Sequence, residues 1–273
     1  MELQNYFDTL ENPPAKSSQL SYKSQYRYIR KSFDVDLIDV SVEDILIYLD
    51  SIEKLNTKKN LLNIFIMLKK NKVEDYEVLT ALREEYKEKI KTELGNTNEK
   101  LEEKLNEVSY EDLMEHLKKS KDDTYIINYI LLNYYTRNKD LDLVIVKEPP
   151  ENEDVNYILI NEDGKSVIYE RNNYKTIKSH GKKTHIIKDK KFIKYCISLL
   201  GDKDSVRLLK TKQLNPSIVA HTLNNMNENE YFKIQVLHFR NQKYSTKKLY
   251  EMGECRGTSI DYILTNYNVQ YQN

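Results

Sequence analysis

Apolar residues recur at helical spacing through the first part of the chain. Three such patterns follow one another in residues 21–72: SYKSQYRYIRKSF, SVEDILIYLDSIEKL and TKKNLLNIFIMLKKN. Apolar residues three and four positions apart share one face of a helix, so each pattern predicts an amphipathic helix. Ser41 and Thr57 stand where N-terminal caps are expected. We therefore predict a helical domain over residues 19–72, after a loose lead-in formed by residues 1–18.

The next part of the chain is charged and helical. Residues 73–120 are rich in Glu, Lys and Leu, and they predict a linker region of two solvated helices that break near Gly95 and Asn96. The pattern TYIINYILLNYY that follows has apolar residues on every side. A helix of this kind is buried in a larger core, and we take it as the first long helix of a domain over residues 121–273.

After this helix the pattern changes from helical spacing to alternation. The segments LDLVIVKE, VNYILIN and KSVIYERNNYKT are rich in β-branched and aromatic residues, as strands are. Asp163 with Gly164 is typical of a tight hairpin, and His180 with Gly181 predicts a turn before a further strand, KKTHIIK. Helical patterns then resume as KFIKYCISLL, PSIVAHTLNNM, a segment over residues 240–252, and TSIDYILTNY. Together, these helical and strand patterns predict a mainly α fold with a small antiparallel β-sheet of three or four strands.

Charge is balanced in total but uneven along the chain. The 273 residues carry 43 basic and 43 acidic side chains. Residues 74–123 contain 16 acidic and 9 basic residues, a net charge of −7, whereas residues 165–191 contain 9 basic and 2 acidic residues, a net charge of +7. Binding to a phosphate backbone needs local positive charge rather than a positive total, so this distribution is compatible with a nucleic-acid partner.

The composition excludes several classes of protein. With six glycines in the chain, the sequence has no glycine-rich phosphate loop of the P-loop or dinucleotide type. The five histidines and two cysteines show no metal-ligand spacing, so we expect no metal and no cofactor. No window approaches 18 apolar residues, and the first residues do not have the pattern of a secretory signal. We therefore expect an intracellular protein without a membrane span.

Arginine, lysine and tyrosine residues in a particular order remain as candidates for chemistry. Arg137 follows the buried helix, and NNYKTIKSHGKK places Lys175 on a predicted hairpin. Further on, VLHFRNQ contains Arg240, and RGTSIDYILTNY places Tyr267 ten residues after Gly257. Arginine offers forked donors to phosphate oxygens. A tyrosine that attacks phosphorus must be activated, because its unperturbed pKa is about 10.

In this order the residues resemble the catalytic set of the tyrosine recombinase (phage integrase) family. That family has an arginine after a buried helix, an acidic residue three positions on, a hairpin lysine, a His-x-x-Arg, and a Gly-His-Ser segment ten residues before the nucleophilic tyrosine. The resemblance implies a catalytic domain over residues 121–273 and a core-binding, DNA-binding domain over residues 19–72. The segment NEVS at residues 106–109 is also similar to recombinases of large DNA viruses and their mobile elements, which implies a location in the host cytoplasm or nucleus.

The resemblance assigns a role to each matching position. The catalytic residues that it implies are Arg137, Lys175, Arg240 and Tyr267, with Lys178 as the alternative lysine. The supporting residues are Asp140, His238, Gly257, Thr258 and Ser259. The basic residues expected to contact DNA are Lys23, Arg27, Arg30, Lys31, Lys178, Lys182 and Lys183. Two positions depart from the family pattern, since Leu237 and Thr258 stand where its histidines assist proton transfer and hold phosphate oxygens.

The implied function is a site-specific recombinase or integrase that breaks and rejoins double-stranded DNA through a 3′-phosphotyrosyl intermediate. Strand exchange would require self-assembly to a dimer or tetramer on DNA. One alternative is a catalytically weakened DNA-binding structural protein, which the two missing histidines favour. A second is a type IB topoisomerase, although the core-binding-like residues 19–72 favour the recombinase. A third is a helical protein-interaction module, which the acidic residues 74–123 favour.

Overall fold

The chain forms two compact units, residues 1–99 and residues 100–273, in a computed structural model. The structure describes residues 3–11, 13–14, 16–70, 72–105, 107–210, 214–240, 242–243 and 245–266. The fold is mainly helical with one small sheet, which confirms the predicted class in outline. The predicted domain boundaries at residues 72 and 120 stay predictions.

The first unit consists of four helices and the beginning of a long fifth helix. These are α1 (Leu3–Asp8), α2 (Lys16–Arg30), α3 (Val42–Asp50), α4 (Leu55–Leu68) and α5 (Val73–Leu105). Leu3 and Phe7 of α1 are buried in the same apolar cluster as Ile29 and Phe65. Residues 3–8 are therefore helical and packed, whereas the sequence predicted a loose lead-in there.

The cap of α3 follows the prediction, and the cap of α4 does not. The Ser41 side chain accepts a hydrogen bond from the Asp44 backbone N–H at 3.1 Å, as an N-cap serine does. Helix α4 begins at Leu55, with Lys54 as an N-cap residue that makes no side-chain capping bond. The prediction of Thr57 as the cap is wrong, because Leu55 packs against the core of the unit and the helix starts before Thr57.

The predicted break near Gly95 and Asn96 is also wrong. Helix α5 continues through both positions from Val73 to Leu105. A glycine inside a helix costs about 1 kcal/mol relative to alanine, and many Glu, Lys and Leu residues on either side have high helix propensity. These neighbours outweigh the local cost.

The second unit contains eight helices, two 3₁₀ turns and a sheet in the part that the structure describes. The helices are α6 (Tyr110–Lys119), α7 (Asp122–Asn133), α8 (Ile177–His180), α9 (Lys190–Leu200), α10 (Leu214–Val219), α11 (Glu228–Arg240), α12 (Ser245–Arg256) and α13 (Ile260–Asn266). The 3₁₀ turns are Asn138–Leu141 and Leu223–Asn225. The strands are β1 (Leu143–Val146), β2 (Asn156–Ile160), β3 (Val167–Arg171), β4 (Lys183–Ile187) and β5 (Ser205–Arg207).

The sheet has the strand order β4-β3-β2-β1-β5 and is mixed rather than antiparallel. Strands β2, β3 and β4 pair antiparallel through the predicted turns, but β1 pairs parallel with β2. A parallel pair cannot be joined by a tight hairpin. Residues 147–155, which include Pro149 and Pro150, carry the chain back to the starting end of β1. The expectation of a purely antiparallel sheet was wrong at this one connection.

Helix α7 lies at the centre of the second unit, as its apolar pattern predicted. Ile126, Ile127 and Ile130 are fully buried, and α7 packs against α9 through Phe192 and Cys196 of the same apolar cluster. This packing fixes the end of α7, and therefore the position of the residues that follow it. In the described part of the chain, no helix is both long and apolar enough to cross a membrane.

Candidate functional site

The C-terminal end of α12 collects donor side chains from several other segments. A helix leaves its last carbonyls without intrahelical partners, and cations are favourable there because of the helix dipole. Four consecutive carbonyls, those of residues 254–257, each accept one side-chain donor. The donors are, in that order, Lys183 Nζ, Arg171 Nη1, Arg137 Nη1 and Thr176 Oγ1. We call residues 254–259 the Gly257 turn.

Arg137 reaches this turn from the end of α7. After Tyr134, the chain passes through Tyr135 in a left-handed conformation (φ 51°) and then enters the 3₁₀ turn Asn138–Leu141. The Arg137 backbone N–H donates to Asp140 Oδ2 at 2.7 Å. Its half-buried guanidinium donates through Nη1 to the Arg256 carbonyl at 2.6 Å. A guanidinium has five N–H donors, so this bond leaves others for a ligand.

Asp140, predicted as a supporting residue, is fully buried and pairs with Arg171. Arg171 Nε and Nη2 donate to Asp140 Oδ1 at 2.9 Å and 2.7 Å, and neither side chain is exposed to solvent. Burial is the largest single influence on the pKa of Arg171 and lowers it, but the charge and hydrogen bond of Asp140, together with Tyr169 and Cys255, outweigh burial and raise this pKa, so the guanidinium stays charged. The pair ties the end of α7 to β3 and holds Arg171 against the Cys255 carbonyl.

Gly257 permits the close approach of the β3–β4 segment to the turn. Its φ is +70°, and a Cβ at this position would lie 2.5 Å from Thr176 Oγ1 and 2.9 Å from Tyr174 Cε2. Tyr174 is buried, and its hydroxyl donates to the Gly181 carbonyl at 2.6 Å. The structure therefore brings the segment that carries Lys175 directly against Gly257.

Lys175 and Lys178 stand exposed on this segment. Neither ammonium group has a carboxylate within ion-pair distance among the described residues. His180 lies at the end of the same segment, with its Cδ2 atom 3.6 Å from the Cβ position of Gly257. His180 was predicted only as part of a turn with Gly181, because only the tertiary fold brings the imidazole next to Gly257.

Arg240 and His238 lie elsewhere on α11. Phe239 is 5.1 Å from Lys248 Nζ near the start of α12, whereas the Gly257 turn follows the end of α12. The 12 residues of α12 span about 18 Å at 1.5 Å per residue. Arg240 is thus separated from the turn by roughly the length of this helix. His238 stacks on Tyr110 at 4.3 Å and lies 3.6 Å from Glu111, and Leu237 is half-buried.

The third arginine at the turn, after Arg137 and Arg171, is Arg256, which was not among the candidate residues predicted from the sequence. Its Nη1 donates to the carbonyls of Tyr135 and Thr136, both at 2.9 Å, and its guanidinium lies 4.2 Å from the centre of the Phe232 ring. Arg256 is 1% exposed, and Glu228 lies 3.8 Å away. It therefore fixes the backbone before Arg137 and cannot reach a bound phosphate without leaving the core.

Thr258 and Ser259 begin the last described helix. The Thr258 backbone N–H donates to the Gly253 carbonyl at 2.9 Å, and Ser259 Oγ accepts from the Tyr262 N–H at 3.2 Å, as a cap of α13 does. Helix α13 ends at Asn266. Tyr267, the predicted nucleophile, lies outside the described residues.

Four other tyrosines near the turn do not fit a nucleophile. They are Tyr134, Tyr135, Tyr169 and Tyr174. Burial raises the pKa of each of these phenols above the ordinary value for tyrosine. They stay protonated, and their side chains pack in the core rather than reaching a ligand. Tyr262, by contrast, is 50% exposed.

On the first unit, three of the predicted DNA-binding residues form one row along α2 and the residue that follows it. Lys23, Arg27 and Lys31 follow one another at intervals of four residues, and they line a shallow cavity of about 390 Å³ together with Leu20 and Tyr28. Leu20 is 69% exposed and Tyr28 is 57% exposed. The row is a basic surface with an exposed aromatic ring.

Three other residues of the predicted DNA-binding set bind other groups of the protein. The Arg30 side chain donates to the Phe33 carbonyl and so closes the end of α2. Lys182 forms an exposed ion pair with Glu153 at 3.0 Å, and Lys183 binds the Gly257 turn. Within the described residues, no group of three or more His, Cys, Asp or Glu side chains could hold a metal ion.

The Arg137 guanidinium and the segment that carries Lys175 both contact the Gly257 turn, so positive charge collects at this turn. Positive charge of this kind favours the binding of an anion. Comparison of the chain with known protein families, with curated proteins and with solved structures finds no match.

Proposed function

We propose that this chain is a site-specific DNA recombinase of the tyrosine type, which cleaves and rejoins one strand of double-stranded DNA through Tyr267. The observation that carries the proposal is the meeting of Arg137, the Lys175 segment and Gly257 at one turn. These three segments are far apart in the sequence, and the resemblance predicts that they act on the same phosphate.

The chemistry assigned to these residues needs no external energy source. The Arg137 guanidinium binds non-bridging oxygens of the scissile phosphate and stabilises the charge of the transition state, an effect of about 10²–10³ in rate for one such donor. The Tyr267 phenol passes its proton to the His180 imidazole, and its oxygen attacks phosphorus and forms a 3′-phosphotyrosyl bond. The bond to the 5′-oxygen breaks, and Lys175 donates the proton to this leaving group. Attack by a 5′-hydroxyl on the phosphotyrosine reverses the steps and releases Tyr267.

His180 brings an imidazole to the Gly257 turn, where the proposal places the reacting phosphate. The positions that resemble the family's histidines are Leu237 and Thr258, which carry no titratable group. His180 reaches the Gly257 turn from the same segment as Lys175. We assign to it the support of proton transfer that Leu237 and Thr258 cannot give.

Covalent trapping of DNA tests the nucleophile. A duplex with a 5′-phosphorothiolate at the cleaved bond, or a nicked duplex, is expected to give a protein–DNA band in denaturing electrophoresis. Tyr267→Phe should abolish this band because phenylalanine has no oxygen to attack phosphorus. Tyr262→Phe, a matched change at an exposed tyrosine of α13, should leave the band intact. A band that survives Tyr267→Phe and disappears in Tyr262→Phe would contradict the assignment of Tyr267.

The basic row on α2 predicts a second measurable effect. Replacing Lys23, Arg27 and Lys31 with alanine should weaken DNA binding and reduce the slope of log affinity against log salt by about 0.9 for each lost phosphate contact. The matched control replaces Lys16, Lys54 and Lys70, three exposed lysines of the same unit, and should leave the slope nearly unchanged. Equal slopes in both triple variants would exclude α2 as a DNA-binding surface.

A second candidate function is a DNA-binding protein with the same architecture but little or no cleavage activity. The position of Arg240 favours it, since about one helix length separates this arginine from the Gly257 turn. Salt-dependent DNA binding together with the absence of a covalent band on any nicked substrate would favour this candidate. Assembly of the recombinase to a dimer or tetramer on two DNA sites is part of the first proposal and would be absent from the second.

A further inference from the structure

A cavity of about 560 Å³ lies on the second unit, away from the Gly257 turn. Four lysines form its rim, and two isoleucines form its floor. These residues are Lys165, Lys188, Lys190, Lys194, Ile193 and Ile197. Lys165 precedes β3 and Lys188 follows β4, whereas Arg171 and Lys183 at the other ends of these strands bind the turn. Five residues of strand separate the two places by about 16 Å.

The positive charge of this cavity does not help to stabilise the second unit. Lys188 and Lys190 stand at the N-terminal end of α9, which is the positive end of the helix dipole and disfavours cations, and Lys194 lies one turn further along. The nearby carboxylates accept hydrogen bonds from backbone N–H groups. Asp189 caps α9 through the Phe192 N–H at 2.7 Å, and Asp163 accepts from the Lys165 N–H at 2.9 Å.

The cavity is also apolar at its centre. Ile197 is 46% exposed, and the lysine side chains add their aliphatic stems to its walls. A phosphate backbone would satisfy the charge of the rim but would leave the isoleucines in contact with polar groups. The combination fits a partner that has carboxylates around a small apolar centre.

The same chain carries such a surface on α5. Apart from Lys87, the exposed side chains of its first 16 residues fall within about 140° of the helix circumference, given 3.6 residues per turn. They are Val73, Glu74, Glu77, Val78, Ala81, Glu84, Glu85 and Glu88. Five of these eight are glutamates, and Val73 and Val78 are 65% and 50% exposed. Glu84 and Glu85 form ion pairs with basic residues of the same helix. The turns around Glu74, Glu77 and Val78 are therefore more acidic than the turns around Glu84 and Glu85.

We propose that the lysine-rimmed cavity of one copy binds the exposed face of α5 of a second copy. Val78 and Ala81 would lie on Ile193 and Ile197, and Glu74 and Glu77 would lie among the four lysines. The contact joins different surfaces of the two copies, so it is made twice in a reciprocal two-fold dimer or repeated from copy to copy in a ring or chain. It is independent of the proposed cleavage chemistry and of DNA.

Sedimentation velocity of the full chain without DNA tests the contact. The wild-type protein is expected to associate in low salt as its concentration rises, and to dissociate in high salt because charge pairs at the rim are screened. The double variant Lys190→Glu, Lys194→Glu should raise the dissociation constant by tenfold or more, since it places like charges opposite α5. Glu77→Lys on α5 should have a similar effect. All three substituted side chains are exposed, so circular dichroism should be unchanged.

Mixing distinguishes this contact from a general effect of charge. The Lys190→Glu, Lys194→Glu protein still has a wild-type α5 face, and the Glu77→Lys protein still has a wild-type cavity. Each should sediment as a monomer alone, and their mixture should associate. Lys203→Glu and Glu53→Lys reverse exposed charges outside both surfaces and should associate as the wild type does. A monomeric wild-type protein at low salt, or a mixture that stays monomeric, would overturn the proposal. So would variants that lower DNA affinity and leave association unchanged, because the cavity would then be a DNA surface.

Discussion

Replacing Asp140 with alanine is expected to lower the free energy of unfolding by about 3–5 kcal/mol, the usual cost of leaving a buried charge without its partner. Asp140 and Arg171 are both 0% exposed, and the carboxylate accepts two N–H groups of Arg171 and one backbone N–H of Arg137. Without the carboxylate, the guanidinium stays in the core, where its remaining partners among the described residues are the Cys255 carbonyl and the face of the Tyr174 ring. Chemical denaturation followed by circular dichroism measures the loss.

Two further variants isolate the buried charge as the cause. Asp142→Ala removes a carboxylate two residues away, whose ion pair with Arg207 is about half exposed, and should cost less than about 1 kcal/mol. The double variant Asp140→Leu, Arg171→Met removes both buried charges and should be much more stable than Asp140→Ala. If Asp140→Ala and Asp142→Ala unfold at the same denaturant concentration, the buried pair does not stabilise the unit as proposed.

The sequence contains a signal for this pair. In β3 the inward side chains alternate as Val167, Tyr169 and Arg171, all fully buried. An arginine on the apolar face of a strand needs a buried acceptor. Arg256 follows the same rule on a helix, since Leu249, Met252 and Arg256 share one buried face of α12. Both residues could have been assigned to the core from periodicity alone.

Other features followed from local physical chemistry, and their predictions were confirmed. The buried helix α7, the serine cap of α3 and the turns at Gly164 and Gly181 depend on residues close together in the sequence. The parallel pairing of β1 with β2 does not depend on residues close together in the sequence. It depends on where residues 147–155 return the chain. A loop of this length without a tight hairpin dipeptide is compatible with parallel or antiparallel pairing of the strands that it joins.

The candidate site also contains some residues that the sequence could predict and others that it could not. Arg137, Lys175 and Gly257 were selected by order and element type, and the fold brings their segments together. Arg240 was selected by the same reasoning, yet the pattern could not tell which end of α12 it would lie beside. His180 could not be selected at all, because its nearness to Gly257 arises from a contact between segments 77 residues apart in the sequence. The role of each residue in DNA cleavage stays a prediction.

Replacing Gly257 with alanine should destabilise the second unit and abolish DNA cleavage together. The φ of +70° costs a residue with a Cβ about 1–2 kcal/mol. The new methyl group would also lie 2.5 Å from Thr176 Oγ1 and 2.9 Å from the Tyr174 ring. Thr176 can turn away only by losing its 2.6 Å bond to the Gly257 carbonyl, and Tyr174 is 1% exposed and bound to Gly181. The Lys175 segment must therefore move away from Arg137.

Gly164 supplies the matched control for this substitution. Its φ is +60°, and nothing lies within 4 Å of the position where its Cβ would stand. Gly164→Ala therefore introduces similar backbone strain without a collision, at the opposite end of β3 from the proposed phosphate site. Unfolding measurements should show a larger loss for Gly257→Ala than for Gly164→Ala, and the difference measures the collision alone. Covalent trapping should give a normal band for Gly164→Ala and none for Gly257→Ala at a temperature where both proteins are folded. Equal stability and equal cleavage in the two variants would show that the close contact of Thr176 and Tyr174 with Gly257 does not position Lys175.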